Sequence, residues 1–216
     1  MVNTFLTSRN WYRSAQRLDN KRLFKQCVEA WQIYLCIRNL HLLAQVLNLQ
    51  LSASDPIDLR IQRIIHTYKS SPYKLAIVGD VVSSDKMEVT ASSQSEFKLI
   101  PWAWERQHVP VNWRIVSTAF LHHPAVAMWF DAVEALKYYF NVHLQAWFER
   151  KADTTTRFTY FEVNVPFDLP FWYFDQRVYV SHRSSLMLKK REWYIQYGCC
   201  AKAPSFTEYF WPTRHE

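Results

Sequence analysis

A mainly α fold, a compact helical single domain carrying an irregular insertion that holds a β-hairpin, follows from three features of the sequence. Glycine occurs only twice in 216 residues, at Gly79 and Gly198. A turn-rich sandwich or barrel needs residues at positive φ, which glycine supplies most readily. Apolar residues recur at helical spacing through stretches without Pro or Gly, the clearest running from Ser14 to Asn48. Hydrophobic residues make up 49% and charged residues 21%, so the chain can bury a core and does not read as disordered. The length suits one domain, or one domain with a long insertion.

The elements follow in order. Val2–Leu6 is a short apolar opening segment. Ser14 to about Asn48 reads as one long helix or a helix pair. On a 100° wheel Leu23, Phe24, Cys27, Trp31, Tyr34 and Leu35 share one side. Lys21, Lys25, Glu29 and Gln32 take the opposite side, with Arg22 at its margin. Ser52–Pro56 breaks the run, and Asp58–Tyr68 is a further helix. Turn-forming clusters punctuate Ser70–Pro110, where Lys74–Val82 and Met87–Thr90 can pair across Ser83–Lys86. Residues 51–112 are therefore read as an insertion within a single 1–216 domain. His123-Pro124 opens the next helix, with Pro at an early position where its missing N–H costs little. Val126, Trp129, Val133, Leu136 and Phe140 carry that helix to about Arg150. Ser181 reads as an N-cap, opening a helix that runs to about Tyr197.

Several functions are excluded. Two glycines more than a hundred positions apart cannot build a phosphate cradle, which removes P-loop and dinucleotide-binding classes. Cys27, Cys36, Cys199 and Cys200 have no metal-ligand spacing, and an adjacent pair makes a poor disulfide framework. They suggest an intracellular, reducing compartment. No apolar run approaches a bilayer span, and no serine elbow anchors a hydrolase triad. No metal and no cofactor is expected.

The charge is unevenly placed. Residues 1–50 hold seven Lys/Arg against two Asp/Glu, and residues 176–216 hold seven against three. The segment between them holds twelve against fourteen. If the ends fold together they make one basic surface, for which nucleic acid is the natural partner. Aromatic residues, at 17%, supply core, and those beside the basic ends can stack on bases.

Glu29 has two readings. It can be half of an i,i+4 pair with Lys25 on a solvated face. It can instead be a general acid/base in a positive cleft whose cations grip phosphate. His182 and Arg183 fall in the first turn of the helix expected after Ser181, where free N–H groups favour an anion. His122 and His123 precede a helix, where a histidine commonly caps or packs.

Three stretches together carry a resemblance. They are Leu18-Asp19-Asn20-Lys21-Arg22-Leu23-Phe24-Lys25-Gln26-Cys27-Val28-Glu29-Ala30-Trp31-Gln32, His123-Pro124-Ala125-Val126-Ala127-Met128-Trp129, and Ser181-His182-Arg183-Ser184-Ser185-Leu186 followed by Lys189-Lys190. With the terminal Tyr209-Phe210-Trp211-Pro212, the chain resembles the pyrimidine-dimer DNA glycosylase family of endonuclease V type. The resemblance covers about residues 1–50, 113–150 and 176–212, and 51–112 has no counterpart in it. It implies a compact helical fold, base excision coupled to strand cleavage at an abasic site, no metal, and a monomer acting on double-stranded DNA. It implies that the amine exposed at Val2 after removal of Met1 is the nucleophile and that Glu29 assists. Lys21, Arg22, Lys25, Gln32, His123, His182, Arg183, Lys189 and Lys190 are the implied DNA-binding residues. The chain departs from the phage pattern at Arg22, which takes the place of a family histidine, and at Lys21 and Lys25, where phage enzymes have no lysines.

The implied chemistry suits these residue types. Breaking an N-glycosidic bond leaves a cationic sugar C1′, which an amine captures as an imine. The amine must be neutral, and an α-amine starts near pKa 7.7–8.0 whereas a lysine starts near 10.4. Neighbouring cations lower it further. Val2 is therefore preferred, with Lys21 the substitute. A DNA- or RNA-binding protein without catalysis, or a glycosylase for another modified base, remains open at this stage.

Overall fold

The computed structural model describes residues 4–78, 96–101, 113–151, 156, 158–197 and 209–212. Among these, helices dominate and the strands form one small antiparallel sheet, as the mainly α expectation requires. The chain divides into two compact units. The first comprises Met1–Ile37, His123–Thr155 and Thr159–Glu216, and the second comprises Arg38–His122 and Thr156–Phe158.

The helix pair in the opening region is real. α1 spans Trp11–Arg17 and α2 spans Asn20–Val46. Asn10 caps α1 by accepting from the Arg13 N–H. Leu18 is extended, with ψ 143°. Asp19 then restarts the helix, its carboxylate accepting from the Arg22 N–H at 3.2 Å. The side of α2 read as apolar buries Leu23, Cys27 and Trp31. Gln26, Glu29, Ala30, Ile33 and Ile37 are buried as well. A helix covered on most of its circumference carries no single apolar stripe, which is why the wheel placed Glu29 on a solvated face.

The first unit is completed by α4 (Pro124–Trp129), α5 (Val133–Arg150), α6 (Gln176–Lys189) and α7 (Arg191–Tyr194). The single helix expected from His123 to Arg150 is thus two, separated at residues 130–132. α1 packs on α5, and the core there is aromatic. Trp11 meets Trp129, Tyr138, Tyr139 and Tyr173 with ring centroids 5.6–5.9 Å apart. Trp31 stacks on Phe161 at 4.8 Å. Of these rings Trp11, Trp31, Trp129 and Tyr139 are buried, and each stabilises by roughly 1.5–3 kcal/mol.

One helix start requires correction. α6 begins at Gln176, capped by Asp175, whose carboxylate accepts from the Arg177 N–H. Ser181 lies inside the helix, buried, and donates to the Val178 carbonyl at 3.0 Å. Asp and Ser are comparable N-caps, and the earlier one prevails here because the helical run extends upstream to it. His182 and Arg183 therefore do not stand at a helix N-terminus, and no free first-turn N–H groups or dipole end favour an anion beside them.

In the second unit α3 spans Ile57–Ser70 and buries Ile57, Ile61, Ile64, Ile65 and Tyr68 along one stripe. The Tyr68 hydroxyl accepts the Leu75 N–H at 2.9 Å, tying the helix to the sheet. β1 (Tyr73–Val78) pairs antiparallel with β2 (Glu96–Pro101) on one side and β3 (Trp113–Ile115) on the other. The described partners of β1 are thus Glu96–Pro101 and Trp113–Ile115. The expected partner Met87–Thr90 lies outside the described residues, as do 79–82. α2 ends where Asn48 turns left-handed at φ 49°, with the Leu49 N–H reaching the Ala44 carbonyl at 2.9 Å. Asparagine tolerates that conformation better than most residues.

Candidate functional site

Residues 4–7 form a segment with almost no exposed surface, and each of the four residues meets a hydrogen-bond partner from elsewhere in the chain. The Thr4 hydroxyl accepts from Trp129 Nε1 at 3.1 Å. The Phe5 N–H donates to Gln26 Oε1 at 2.7 Å, and the Phe5 carbonyl lies 3.2 Å from the Tyr139 hydroxyl. The Leu6 N–H donates to His182 Nδ1 at 3.2 Å. The Thr7 N–H donates to Ser14 Oγ, and its carbonyl accepts from Arg183 Nη1, both at 3.1 Å. Elements α1, α2, α4, α5 and α6 thus all hold one short stretch of backbone.

Beside this segment lies a cleft of about 170 Å³. Lys21, Arg22, Lys25 and Lys189 supply cations to its wall, Phe5 and Tyr209 supply rings, and Glu29 supplies a carboxylate. The spacing along α2 accounts for four of these, since positions i, i+1, i+4 and i+8 share a face. Glu29 is 3% exposed. Its Oε2 accepts from Gln26 Nε2 at 2.9 Å, and its Oε1 lies 3.4 Å from Lys25 Nζ. The lysine side chain is 55% exposed and the carboxylate side chain 4%, so this pair has one end in solvent and one end enclosed. Lys189 Nζ stands 6.0 Å from the centroid of the Phe5 ring, within cation–π range.

A second buried carboxylate orients one of the cations. Asp19 Oδ2 receives Arg22 Nη1 and the Tyr194 hydroxyl, each at 2.6 Å. Burial pushes the Asp19 carboxyl up, but the hydrogen bonds from Tyr194 and Arg22 outweigh it and hold it below the ordinary carboxylate range. The Tyr194 hydroxyl is pushed up by burial and by its bond to Asp19, so it stays protonated as the donor.

The sequence-predicted residues divide accordingly. Lys21, Arg22, Lys25, Glu29 and Lys189 come together at the cleft. His182 is fully buried, and burial lowers its pKa to about 3. It is therefore neutral and holds the Leu6 N–H. Arg183 is half-buried on the Thr7 carbonyl. His123 caps α4, Nδ1 accepting from the Ala125 N–H at 3.1 Å, and its ring meets Trp211 edge-on. Gln32 is exposed and is not among the described residues lining the cleft. Lys190 Nζ lies 5.4 Å from the Trp193 ring centroid. Val2 lies outside the described residues. Sequence reasoning missed Gln26, Tyr139 and Phe5. The available signal was a glutamine three residues before Glu29 on the same helix.

The arrangement can bind phosphates at the cationic rim, face a base or sugar with aromatic rings, and move a proton at one enclosed carboxylate. Among the described residues no group of three or more His, Cys, Asp or Glu stands together as a metal site. No curated protein matches the chain, and no solved structure does. A family model described as pyrimidine dimer DNA glycosylase matches residues 2–160.

Proposed function

This chain belongs to the pyrimidine dimer DNA glycosylase family, and on that premise we propose that it excises a damaged pyrimidine from duplex DNA and then nicks the strand by lyase action. The observation that carries the reading is the enclosed Glu29 carboxylate in a cationic cleft bordered by the pinned 4–7 segment. Lys21, Arg22, Lys25 and Lys189 take the phosphates on either side of the lesion. The neutral α-amine of Val2, three residues upstream of Phe5, attacks the sugar C1′ as the glycosidic bond breaks. The base departs with the bonding pair and takes up a proton. Loss of the amine proton and opening of the sugar ring give an imine between the α-nitrogen and C1′. Glu29 moves the protons of ring opening and then accepts the C2′ proton, so that the 3′ C–O bond breaks by β-elimination. Lys21 is the substitute nucleophile. His182, Arg183 and His123 serve this chemistry through the backbone they hold, and Gln32 and Lys190 extend the phosphate contacts. The protein acts as a monomer in an intracellular, reducing compartment, with 51–112 an insertion within a single 1–216 domain.

Borohydride trapping tests this on a duplex with a preformed abasic site and then on one with a thymine dimer. A covalent adduct with both is expected. An adduct with the abasic duplex alone would point to another base as substrate. No adduct despite tight binding would make the protein a DNA-binding module. An uncleaved N-terminal tag or acetylation of the α-amine should abolish trapping and spare binding, because displacement on the ångström scale can cost about a hundredfold. Trapping that survives the tag would move the nucleophile to Lys21.

A further inference from the structure

We propose that Gln26 is a positioning residue that locks the N-terminal segment and the acid/base carboxylate into one register. The inference deepens, and rests on, the reading of Glu29 given above. Gln26 is fully buried and its amide is used on both ends. Oε1 lies 2.7 Å from the Phe5 nitrogen and 2.8 Å from the Tyr139 hydroxyl oxygen, while Nε2 lies 2.9 Å from Glu29 Oε2. The orientation of the amide is dictated by its neighbours. The Phe5 N–H can only donate, so the atom facing it must be the carbonyl oxygen. The NH₂ group then has to face Glu29, whose oxygen must accept.

The consequence is geometric. One side chain, held by α2, fixes the backbone three residues from Val2 and also fixes one oxygen of the proton carrier. With Oε2 tethered inward, Oε1 is the oxygen on the Lys25 side, and it is assigned the working role. A glutamine serving the fold alone would stabilise the protein without setting the protonation of Glu29. A positioning glutamine must do both. Glutamate at this position is nearly isosteric and still accepts from the Phe5 N–H. It would, however, set a second carboxylate against Glu29, and two like charges at such range share a proton to higher pH. Among the described residues, the other charged and titratable groups shown around Glu29 are Lys21, Arg22 and Lys25 on its own helix, Tyr139 from α5, Lys189 from α6 and Tyr209. These are the same in wild type and variant.

The test is single-turnover borohydride trapping on a duplex with a preformed abasic site, measured across the active pH range for wild type, Gln26→Glu, Gln26→Leu and Glu29→Gln. Thermal denaturation and duplex affinity are measured in parallel. For Gln26→Glu the acidic limb of the profile should move up by about one pH unit or more, with trapping regained at higher pH. For Gln26→Leu, which neither accepts nor donates, trapping should fall about a hundredfold at every pH with duplex affinity kept. If Gln26→Leu loses its fold, the limb of the isosteric glutamate variant decides alone. A lowered melting temperature with an unshifted limb would overturn the inference and leave Gln26 a packing residue. If Glu29→Gln traps at the wild-type rate, the reading of Glu29 itself falls, and the inference with it. If Glu29→Gln is slow while Gln26→Glu keeps the wild-type limb, the inference falls alone.

Discussion

Asp19, which caps α2, and Glu29, in its N-terminal half, are both buried acids, yet they are held in opposite ways. Asp19 receives the Arg22 guanidinium, the Arg22 N–H and the Tyr194 hydroxyl. Its charge is locked in place, and its carboxyl is held below the ordinary range although burial opposes this. Glu29 receives the Gln26 amide on one oxygen and faces a mostly exposed lysine at 3.4 Å with the other. A carboxylate surrounded by fixed donors caps and aligns. One that borders a cleft beside an exposed cation can exchange a proton. Burial alone does not separate the two; the cleft that Glu29 lines, beside an exposed lysine, does.

The contrast breaks most sharply on activity. Glu29→Gln should lower lyase turnover by roughly 10²–10⁴, the range for a lost acid/base, while changing stability little because an amide oxygen can still accept from Gln26. Single-turnover kinetics and a urea melt check both halves. A folded and fully active variant would make Glu29 as structural as Asp19. Asp19→Ala should do the reverse and destabilise by about 2–4 kcal/mol. Of this, ~1 is the lost helix cap, and the rest is the buried Tyr194 hydroxyl and the Arg22 charge left without their acceptor. A urea midpoint close to wild type would contradict this.

Acid sharpens the comparison further. His143 and His182 are neutral in the fold because burial lowers them to about 4 and about 3. Unfolded histidine titrates near 6.5. The unfolded chain therefore binds up to two extra protons as pH falls from about 6.5, and stability drops there. The Asp19 contribution is full above its ordinary unfolded value, 3.8, and is lost only as pH falls through its lower folded value. Stability against pH should thus fall in two stages, histidines first. His143→Leu should remove about half of the first stage. A flat profile down to about pH 4 would refute the histidine assignment. The smallest effect concerns the rim. Lys21→Ala and Lys25→Ala should each flatten the salt dependence of duplex binding by about one unit, alike for all sequences. An unchanged slope would remove that lysine from the phosphate contacts.

The cleft face of α2 was legible because Lys21, Arg22, Lys25 and Glu29 recur at helical intervals. The enclosure of Glu29 was not, because the residues around the cleft include Phe5, Lys189 and Tyr209, far from α2 in sequence. Helix α3 shows the simpler case: its apolar residues fall on one stripe, and its limits were read to within two residues at each end. The Ser181 cap failed against Asp175 because the two residue types cap equally well, and only the packed length of α6 decides between them. The break at Leu18 and Asp19 needed Tyr194 and Arg22 to make Asp19 a better helix start than interior. Gln26 was visible as a residue but not as a function, since its role is defined by three partners on three different elements.

The pinning of residues 4–7 also bears on how the protein comes into being. The Leu6 N–H finds its acceptor 176 positions later, at His182, and the Thr7 carbonyl finds its donor equally far on, at Arg183. A chain synthesised from its N-terminus can form α1 and α2 early, but contacts of such separation close late. Residues 4–7 therefore reach their final setting only once α6 has folded. The setting of this segment is thus a property of the packed unit as a whole and not of its early-folding helices.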